Sequence, residues 1–199
     1  MRWSPCATST PATATGSDVS VAADPAEPAE DTAALRAQIH SFLENAPKPA
    51  GLRNYGPTPT AADVEPGRAW HRYLAEHKYV CLHWPVKYGG ADASVPFQAI
   101  FAEECARAGV PRQLGITGVD LVGPVLIKFG SDEQKSRYLE PILLGDHIWT
   151  QLFSEPGAGS DLAGVRTKAE KTATGWRITG QKVWSSAANS ADYGLLLAR

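Results

Sequence analysis

The sequence has few cysteines, no long apolar run and little net charge. Its three cysteines, Cys6, Cys81 and Cys105, are widely spaced and form no CxxC pair, which indicates neither a disulfide framework nor a zinc site. No stretch reaches the roughly 18 consecutive apolar residues that a membrane-spanning helix requires. The 19 basic and 21 acidic residues leave a formal net charge of −2, which argues against a protein that mainly binds nucleic acid. The composition therefore indicates a globular protein of a reducing compartment.

Several catalytic and phosphate-binding motifs are also absent. Read from Gly157, the GxGxxG motif requires a glycine where Leu162 stands. A Walker loop beginning at Gly175 fails because Gln181 precedes Lys182. No GxSxG surrounds a serine, no HExxH occurs, and the five histidines are scattered over different predicted elements. These absences argue against P-loop, serine-hydrolase and zinc-protease chemistry.

Residues 1–33 contain almost no large apolar side chain after Trp3 and are rich in Ala, Thr, Ser, Pro and acidic residues. Such a segment buries too little apolar surface to offset the entropy that ordering costs. We therefore predict a disordered tail. It has neither the apolar run of a secretory signal nor the Arg-rich character of a transit peptide, so the expected location is cytoplasmic.

From about residue 31 the apolar spacing becomes helical, and five helices are predicted. They span about 31–46, 63–77, 95–109, 118–130 and 131–145. On the third helix, Glu103 and Glu104 are predicted to face outward. The fourth is very apolar, which is typical of a helix in the middle of a bundle. Ser131 and Gln134 form a capping-box pattern at the start of the fifth.

After His147 the pattern changes from helical spacing to short alternating or β-branched runs, which are typical of strands. A helical segment followed by strands predicts an α+β fold. We expect an all-α domain over residues 34–147, followed by the start of an antiparallel, barrel-like β domain over 148–199. Because an apparently buried strand, 194–198, directly precedes Arg199, we expect this β domain to be truncated.

Two loops in the β region are candidate binding sites. In SEPGAGSD (154–161), Gly157 and Gly159 leave backbone amides uncovered, so a phosphate oxygen or the edge of a planar ring could approach. In KVWSSAANS (182–190), a Trp followed by two serines could stack on a planar ligand and donate hydrogen bonds. On the residues alone, the favoured interpretation is a plain turn for the first loop and a core Trp beside turn-forming serines for the second.

Five segments together resemble the acyl-CoA dehydrogenase family. Two of them, QLFSEPGAGSD and GQKVWSSAANS, are similar to the family's flavin-facing TEPxAGSD and KxWITN segments. WPVKYGG, FAEECARAG and FGSDEQKSRYLEPILLGD are similar to its helical-domain motifs. The resemblance covers about residues 34–199 and implies a helical N-terminal domain followed by a middle β domain.

The resemblance implies FAD as the cofactor and assigns roles to particular residues. Ser154 would hydrogen-bond the pyrimidine end of the flavin, and Phe153 would present its backbone to the same edge. Trp184 would pack on the isoalloxazine ring, and the hydroxyl of Ser186 would reach the N5 region. Two further residues, Gly159 and Ser160, would contact the FAD pyrophosphate, and Ser160 would also lie near bound CoA. The segment 115–122 would line the acyl cavity.

The family's reaction is α,β-dehydrogenation of an acyl-CoA thioester to a trans-2-enoyl-CoA, with hydride transfer to flavin N5. The resemblance places the catalytic Glu in a later helical domain. None of Glu103, Glu104, Glu133 and Glu155 matches that base, and we interpret Glu155 as a carboxylate that orders its loop. No catalytic residue and no metal ligand is therefore predicted within these 199 residues.

The expected partners are an acyl-CoA substrate, an electron-transfer flavoprotein as electron acceptor, and further subunits in a homo- or hetero-oligomer. Two alternatives remain open at this point. The chain could be a non-catalytic partner subunit of the same fold, or it could belong to a relative that passes electrons directly to oxygen as an acyl-CoA oxidase.

Overall fold

A computed structural model describes residues 32–56 and 58–199. The helices are α1 (Thr32–Asn45), α2 (Ala61–Glu76), α3 (Val95–Arg107), α4 (Gly123–Phe129) and α5 (Asp132–Leu143). The strands are β1 (Trp149–Leu152), β2 (Lys168–Thr172), β3 (Gly175–Thr179) and β4 (Tyr193–Leu196). A helical region followed by strands confirms the predicted α+β fold.

The predicted tail lies mostly outside the described residues. The structure describes nothing before residue 32, and Thr32 and Ala33, which the sequence analysis assigned to the tail, are the first two residues of α1. Within the described part of the chain, no helix is long and apolar enough to cross a membrane.

The core of the helical region is aromatic and aliphatic. Trp70 on α2, Phe101 on α3 and Trp84 in the connecting segment are almost completely buried. The indoles of Trp70 and Trp84 both donate their N–H to a backbone carbonyl, Trp70 to Pro111 at 2.7 Å and Trp84 to Val119 at 2.9 Å. These two rings therefore contribute apolar burial with their polar atoms satisfied.

The outward prediction for Glu104 is wrong. Its side chain is only 2% exposed, whereas that of Glu103 is 54% exposed. Arg36 of α1 donates to Glu104 at 2.6 Å, and His40 lies 3.3 Å from the same carboxylate. Helix α1 packs on α3 and supplies the guanidinium of Arg36, so this carboxylate is buried as part of an ion pair.

The predicted fourth helix is not a single α-helix. A π-helix over Thr117–Val122 precedes α4. Because Pro124 has no N–H, it cannot form the α-helical hydrogen bond to residue 120, and the backbone there departs from regular α geometry. Gly123 is required by packing, since a Cβ there would lie 1.8 Å from Trp84 Cζ2.

The strands form two separate pairs. Strands β2 and β3 are an antiparallel hairpin, with Lys168 opposite Thr179. Strands β1 and β4 are parallel, with Trp149 opposite Tyr193 and Leu152 opposite Leu196. The antiparallel prediction therefore holds for the hairpin but not for β1 and β4, because the long crossover between them brings both strands in with the same direction. No closed barrel is present over 32–56 and 58–199.

Candidate functional site

The loop that follows β1 is built on a tight turn. Glu155 and Ala158 exchange two backbone hydrogen bonds, at 2.8 and 3.1 Å, and Pro156 and Gly157 form the corner, as is typical of β-turns. A Cβ added to Gly157 or Gly159 would meet no atom within 4 Å. The backbone on this side of the loop is therefore open to an approaching group.

The second loop lies directly against the first. The Val183 N–H donates to the carbonyl of Ser154 at 3.0 Å, and the hydroxyl of the buried Thr150 on β1 donates to the carbonyl of Ser186 at 2.8 Å. Because β4 pairs with β1 in parallel, the segment before β4 runs back along β1, from Ser154 towards Ile148. The structure thus brings together two segments that are about 30 residues apart in sequence.

Trp184 projects from the second loop into solvent. Its side chain is 80% exposed, and its backbone is left-handed, with φ at 54°. A bulky residue in this conformation costs about 1–3 kcal/mol and persists only where its surroundings impose it. The hydrogen bonds of Val183 and Ser186 hold the chain on both sides of Trp184. An exposed, strained aromatic residue beside a glycine-rich loop is typical of a surface for a planar ligand.

A buried ion pair lies beneath the two loops. Lys182 Nζ donates to Glu155 Oε1 at 2.9 Å and to the Phe153 carbonyl at 2.8 Å. The same carboxylate accepts the backbone N–H groups of Arg166 at 2.7 Å and Thr167 at 2.8 Å. Hydrogen bonding from Thr167 and from Lys182 lowers the pKa of Glu155 to about 2. The interpretation of Glu155 as the residue that orders its loop is confirmed.

The predicted site residues fall into two groups. Phe153 and Ser154 are half-buried and lie beside the loop that carries Trp184 and Ser186. Within the ranges that the structure describes, the Ser154 N–H and hydroxyl and the Ser186 hydroxyl have no protein hydrogen-bond partner. The other two, Gly159 and Ser160, are exposed on the far side of the Glu155–Ala158 turn. Their individual roles stay predictions.

Two residues that organise the site were missed. Lys182 begins the predicted second loop but has no predicted role of its own, and Thr150 is not among the predicted site residues. No signal in the sequence singles out Thr150, because the neighbouring Gln151 in β1 is also polar. The partner of Lys182 could not be read from the sequence, because Glu155 is 27 residues away and separated from it by a hairpin.

The predicted acyl segment, 115–122, only partly borders a cavity. Val119 and Asp120 line a cavity of about 240 Å³ together with Phe101 and Arg112. Arg112 donates to Asp120 at 3.1 Å, so the cavity contains a satisfied ion pair as well as apolar walls. Residues 115–118 do not line it.

The two loops suit a planar cofactor that has an anionic extension. The exposed indole of Trp184 offers a stacking face, and the free donors of Ser154 and Ser186 lie on the same two loops. The open backbone at Gly157 and Gly159 can accept a phosphate without a side chain in the way. These features fit a flavin dinucleotide better than a compact anion.

Comparison with known sequences identifies the relatives. The model of the acyl-CoA dehydrogenase N-terminal domain matches residues 29–146, and that of the middle domain matches residues 150–199. Acyl-CoA dehydrogenase IpdE1 of Mycobacterium tuberculosis is 40% identical over 173 residues. The match covers 85% of this chain and 45% of IpdE1. The chain thus spans less than half the length of this relative.

Solved structures agree with the sequence comparison. The Tcur3481-Tcur3483 steroid ACAD is 34% identical, with a TM-score of 0.70 over 89% of this chain and 45% of its own. The ChsE4-ChsE5 complex from Mycobacterium tuberculosis is 30% identical, with a TM-score of 0.69 over 88% of this chain and 44% of its own. On the domain matches, the sequence identity and the shared fold, this chain belongs to the acyl-CoA dehydrogenase family.

Proposed function

We propose that this chain supplies the helical and flavin-facing part of an FAD-dependent acyl-CoA dehydrogenase, an oxidoreductase that converts an acyl-CoA thioester to a trans-2-enoyl-CoA. In this proposal residues 34–147 form the helical domain, residues 148–199 form part of the middle β domain, and the protein is cytoplasmic. The observation that carries the proposal is the joining of the 153–160 and 180–187 loops, which places unpartnered donors beside an exposed indole.

The residues on these loops would hold the cofactor by distinct interactions. Ser154 would donate to the pyrimidine edge of the flavin, Ser186 would donate near N5, and the Trp184 indole would cover the ring. Gly159 and Ser160 would contact the pyrophosphate, and Ser160 would also lie near CoA. Bound FAD supplies the acceptor for the substrate hydride. Donors fixed at the pyrimidine edge favour the negative charge that accompanies its reduction.

The two glutamates that are buried within the described residues, Glu104 and Glu155, are poor candidates for the base. Hydrogen bonding from Arg36 and then His40 lowers the pKa of Glu104, and that of Glu155 is held at about 2. A carboxylate stabilised as an anion is a weak proton acceptor. The proposal therefore assigns proton abstraction to a carboxylate of the full-length protein outside residues 32–199.

The proposal includes two kinds of protein partner. Electrons would leave the reduced flavin for an electron-transfer flavoprotein. Since two similar solved structures carry paired names, Tcur3481-Tcur3483 and ChsE4-ChsE5, we also propose that the full-length protein assembles with a second acyl-CoA dehydrogenase subunit.

Cofactor binding tests the proposal most simply. The full-length protein, alone and co-expressed with a second acyl-CoA dehydrogenase subunit from the same organism, would be purified, stripped of flavin and titrated with FAD. We expect the protein to bind one FAD per copy of this chain. Ser154→Ala and Trp184→Ala should both weaken that binding. Failure of both preparations to bind FAD would contradict the proposal.

A further inference from the structure

We propose that Lys182 is a positioning residue for the flavin: it joins the two loops and polarises the peptide that faces the pyrimidine edge. This inference rests on the proposed function. The observation behind it is that one ammonium group contacts a loop carbonyl and a buried carboxylate at the same time, at 2.8 and 2.9 Å.

The position of the Lys182 ammonium is fixed by three segments of the chain. The side chains of Lys182 and Glu155 are only 8% and 7% exposed. Glu155 is itself held by the backbone N–H groups of Arg166 and Thr167, just before β2. The ammonium therefore links both loops to the start of the β2–β3 hairpin, and its charge is little screened by water.

The bond to the Phe153 carbonyl acts on the neighbouring donor. The carbonyl of Phe153 and the N–H of Ser154 belong to one peptide group, so a cation on the oxygen withdraws electron density from the nitrogen. Charge-assisted hydrogen bonds of this kind polarise the groups next to them and strengthen their donors. Over residues 32–56 and 58–199, the Ser154 N–H has no protein acceptor, so this strengthened donor is available to a ligand.

The same contacts fix the direction of that donor. Val183, the residue after Lys182, donates its N–H to the Ser154 carbonyl at 3.0 Å. Ser154 is thus held through its own carbonyl and through the carbonyl that precedes it, both by adjacent residues of the second loop. Loss of Lys182 would release one of these two attachments and would also leave Glu155 without its cationic partner.

The role predicts two separate effects of Lys182. Through position, it should tighten FAD binding, because the loops are held in their binding arrangement before the cofactor arrives. Through charge, it should raise the reduction potential of the bound flavin, because a stronger donor at the pyrimidine edge favours the anionic reduced form. A role limited to packing would produce the first effect without the second.

The test uses three variants of the full-length protein. Lys182→Met removes the ammonium and keeps the length of the side chain. The double variant Lys182→Met/Glu155→Gln removes both charges together, and so guards against misfolding caused by an unpaired buried carboxylate. Lys171→Met is the matched control, since Lys171 is an exposed lysine on β2.

The measurements are the Kd of FAD and the midpoint potential of the bound flavin. We expect the variants without Lys182 to raise the Kd at least about tenfold and to shift the midpoint to more negative potential, with both quantities unchanged in Lys171→Met. An unchanged midpoint in the flavin-loaded double variant would overturn the inference. Wild-type protein that binds no FAD would instead contradict the proposed function, so the two failures are distinguishable.

Discussion

Glu104 in the helical region and Glu155 in the β region are both almost fully buried, yet they hold different kinds of structure. Glu104 pairs with Arg36 and His40, whose side chains are 34% and 65% exposed, and joins α3 to α1. Glu155 pairs with the buried Lys182 and with two backbone N–H groups. The contact between α1 and α3 thus depends on partly exposed side chains that pair with a buried carboxylate. The position of the two loops depends on an ion pair in which both side chains are buried.

The difference shows how a binding region can be stable and still have free donors. Around Glu155 the charged groups are paired with one another and with backbone N–H groups. The donors of Ser154 take no part in that network, so they are available to a ligand. In the helical region the buried indoles of Trp70 and Trp84 donate to backbone carbonyls of the protein itself. Substitutions in the two regions should therefore have separable effects on stability and on cofactor binding.

The largest expected effect is on stability, from Glu104→Gln. The change removes the charge that Arg36 and His40 contact. A hydrogen bond to a charged group contributes about 1.5–3 kcal/mol to the free energy of unfolding. We expect the free energy of unfolding, measured with urea, to fall by about 2–3 kcal/mol while the Kd of FAD stays unchanged. A large loss of FAD affinity in this variant would break the proposed separation.

Glu155→Gln should have the opposite effect: it should weaken FAD binding and leave the stability of the helical region unchanged. Its amide would turn an N–H₂ group toward the backbone N–H of Arg166 or Thr167, where only an acceptor fits. We expect FAD to bind about tenfold more weakly. The helical region should keep its stability, as followed by hydrogen exchange of the α1 and α3 amides. Wild-type affinity for FAD would show that the network under the loops does not support the site.

The pH dependence of stability should also distinguish the regions. His71 is fully buried on α2, with Nδ1 accepting the Leu114 N–H and Nε2 within 2.9 Å of the Leu143 carbonyl. Burial lowers the pKa of His71, so the unfolded chain binds this proton more readily. Stability should be complete above about pH 6.5 and should fall below it, by up to about 1.4 kcal/mol per pH unit.

His71→Gln tests this assignment, because it removes the titrating group and keeps a side chain that can donate and accept. Urea unfolding of both proteins at several values between pH 7.5 and 5.5 should show the smaller slope in the variant. Equal slopes would assign the pH dependence to other groups. The low pKa of Glu155 places any loss from its protonation at much lower pH, below about 4.5.

The smallest expected effect comes from Glu103→Gln, the matched surface control for Glu104→Gln. Glu103 also contacts Arg36, at 2.7 Å, but its side chain is 54% exposed. Exposed ion pairs are largely screened by water, and we expect a change in unfolding free energy of no more than about 0.5 kcal/mol. If Glu103→Gln lowered the free energy of unfolding as much as Glu104→Gln, burial would not explain the different contributions of the two carboxylates.

The sequence predicted the elements better than their contacts. Local spacing predicted the helices, the capping box of Ser131 and Gln134 and the change of pattern after His147. The structure contains all of these, except that the first half of the predicted fourth helix is π-helical. The burial of Glu104 depends on Arg36, which is 68 residues away. The parallel pairing of β1 and β4 is also non-local, because the whole β2–β3 hairpin lies between the strands.

The candidate site divides in the same way. A Gly-rich turn and a Trp-Ser-Ser segment were visible as motifs, and their resemblance to a family linked them. The contacts that join them, from Lys182 to Phe153 and from Thr150 to Ser186, bridge 29 and 36 residues. Such contacts follow from the folded arrangement of the strands and are not encoded in the spacing of either motif.

The most direct test of the account is hydrogen–deuterium exchange of the full-length protein with and without FAD. We expect FAD to slow exchange of the amides in the 153–160 and 180–187 loops, with the Ser154 amide among the most protected, and to leave exchange in α1 and α3 unchanged. Protection elsewhere with no change in these two loops would contradict the claim that they form the flavin site.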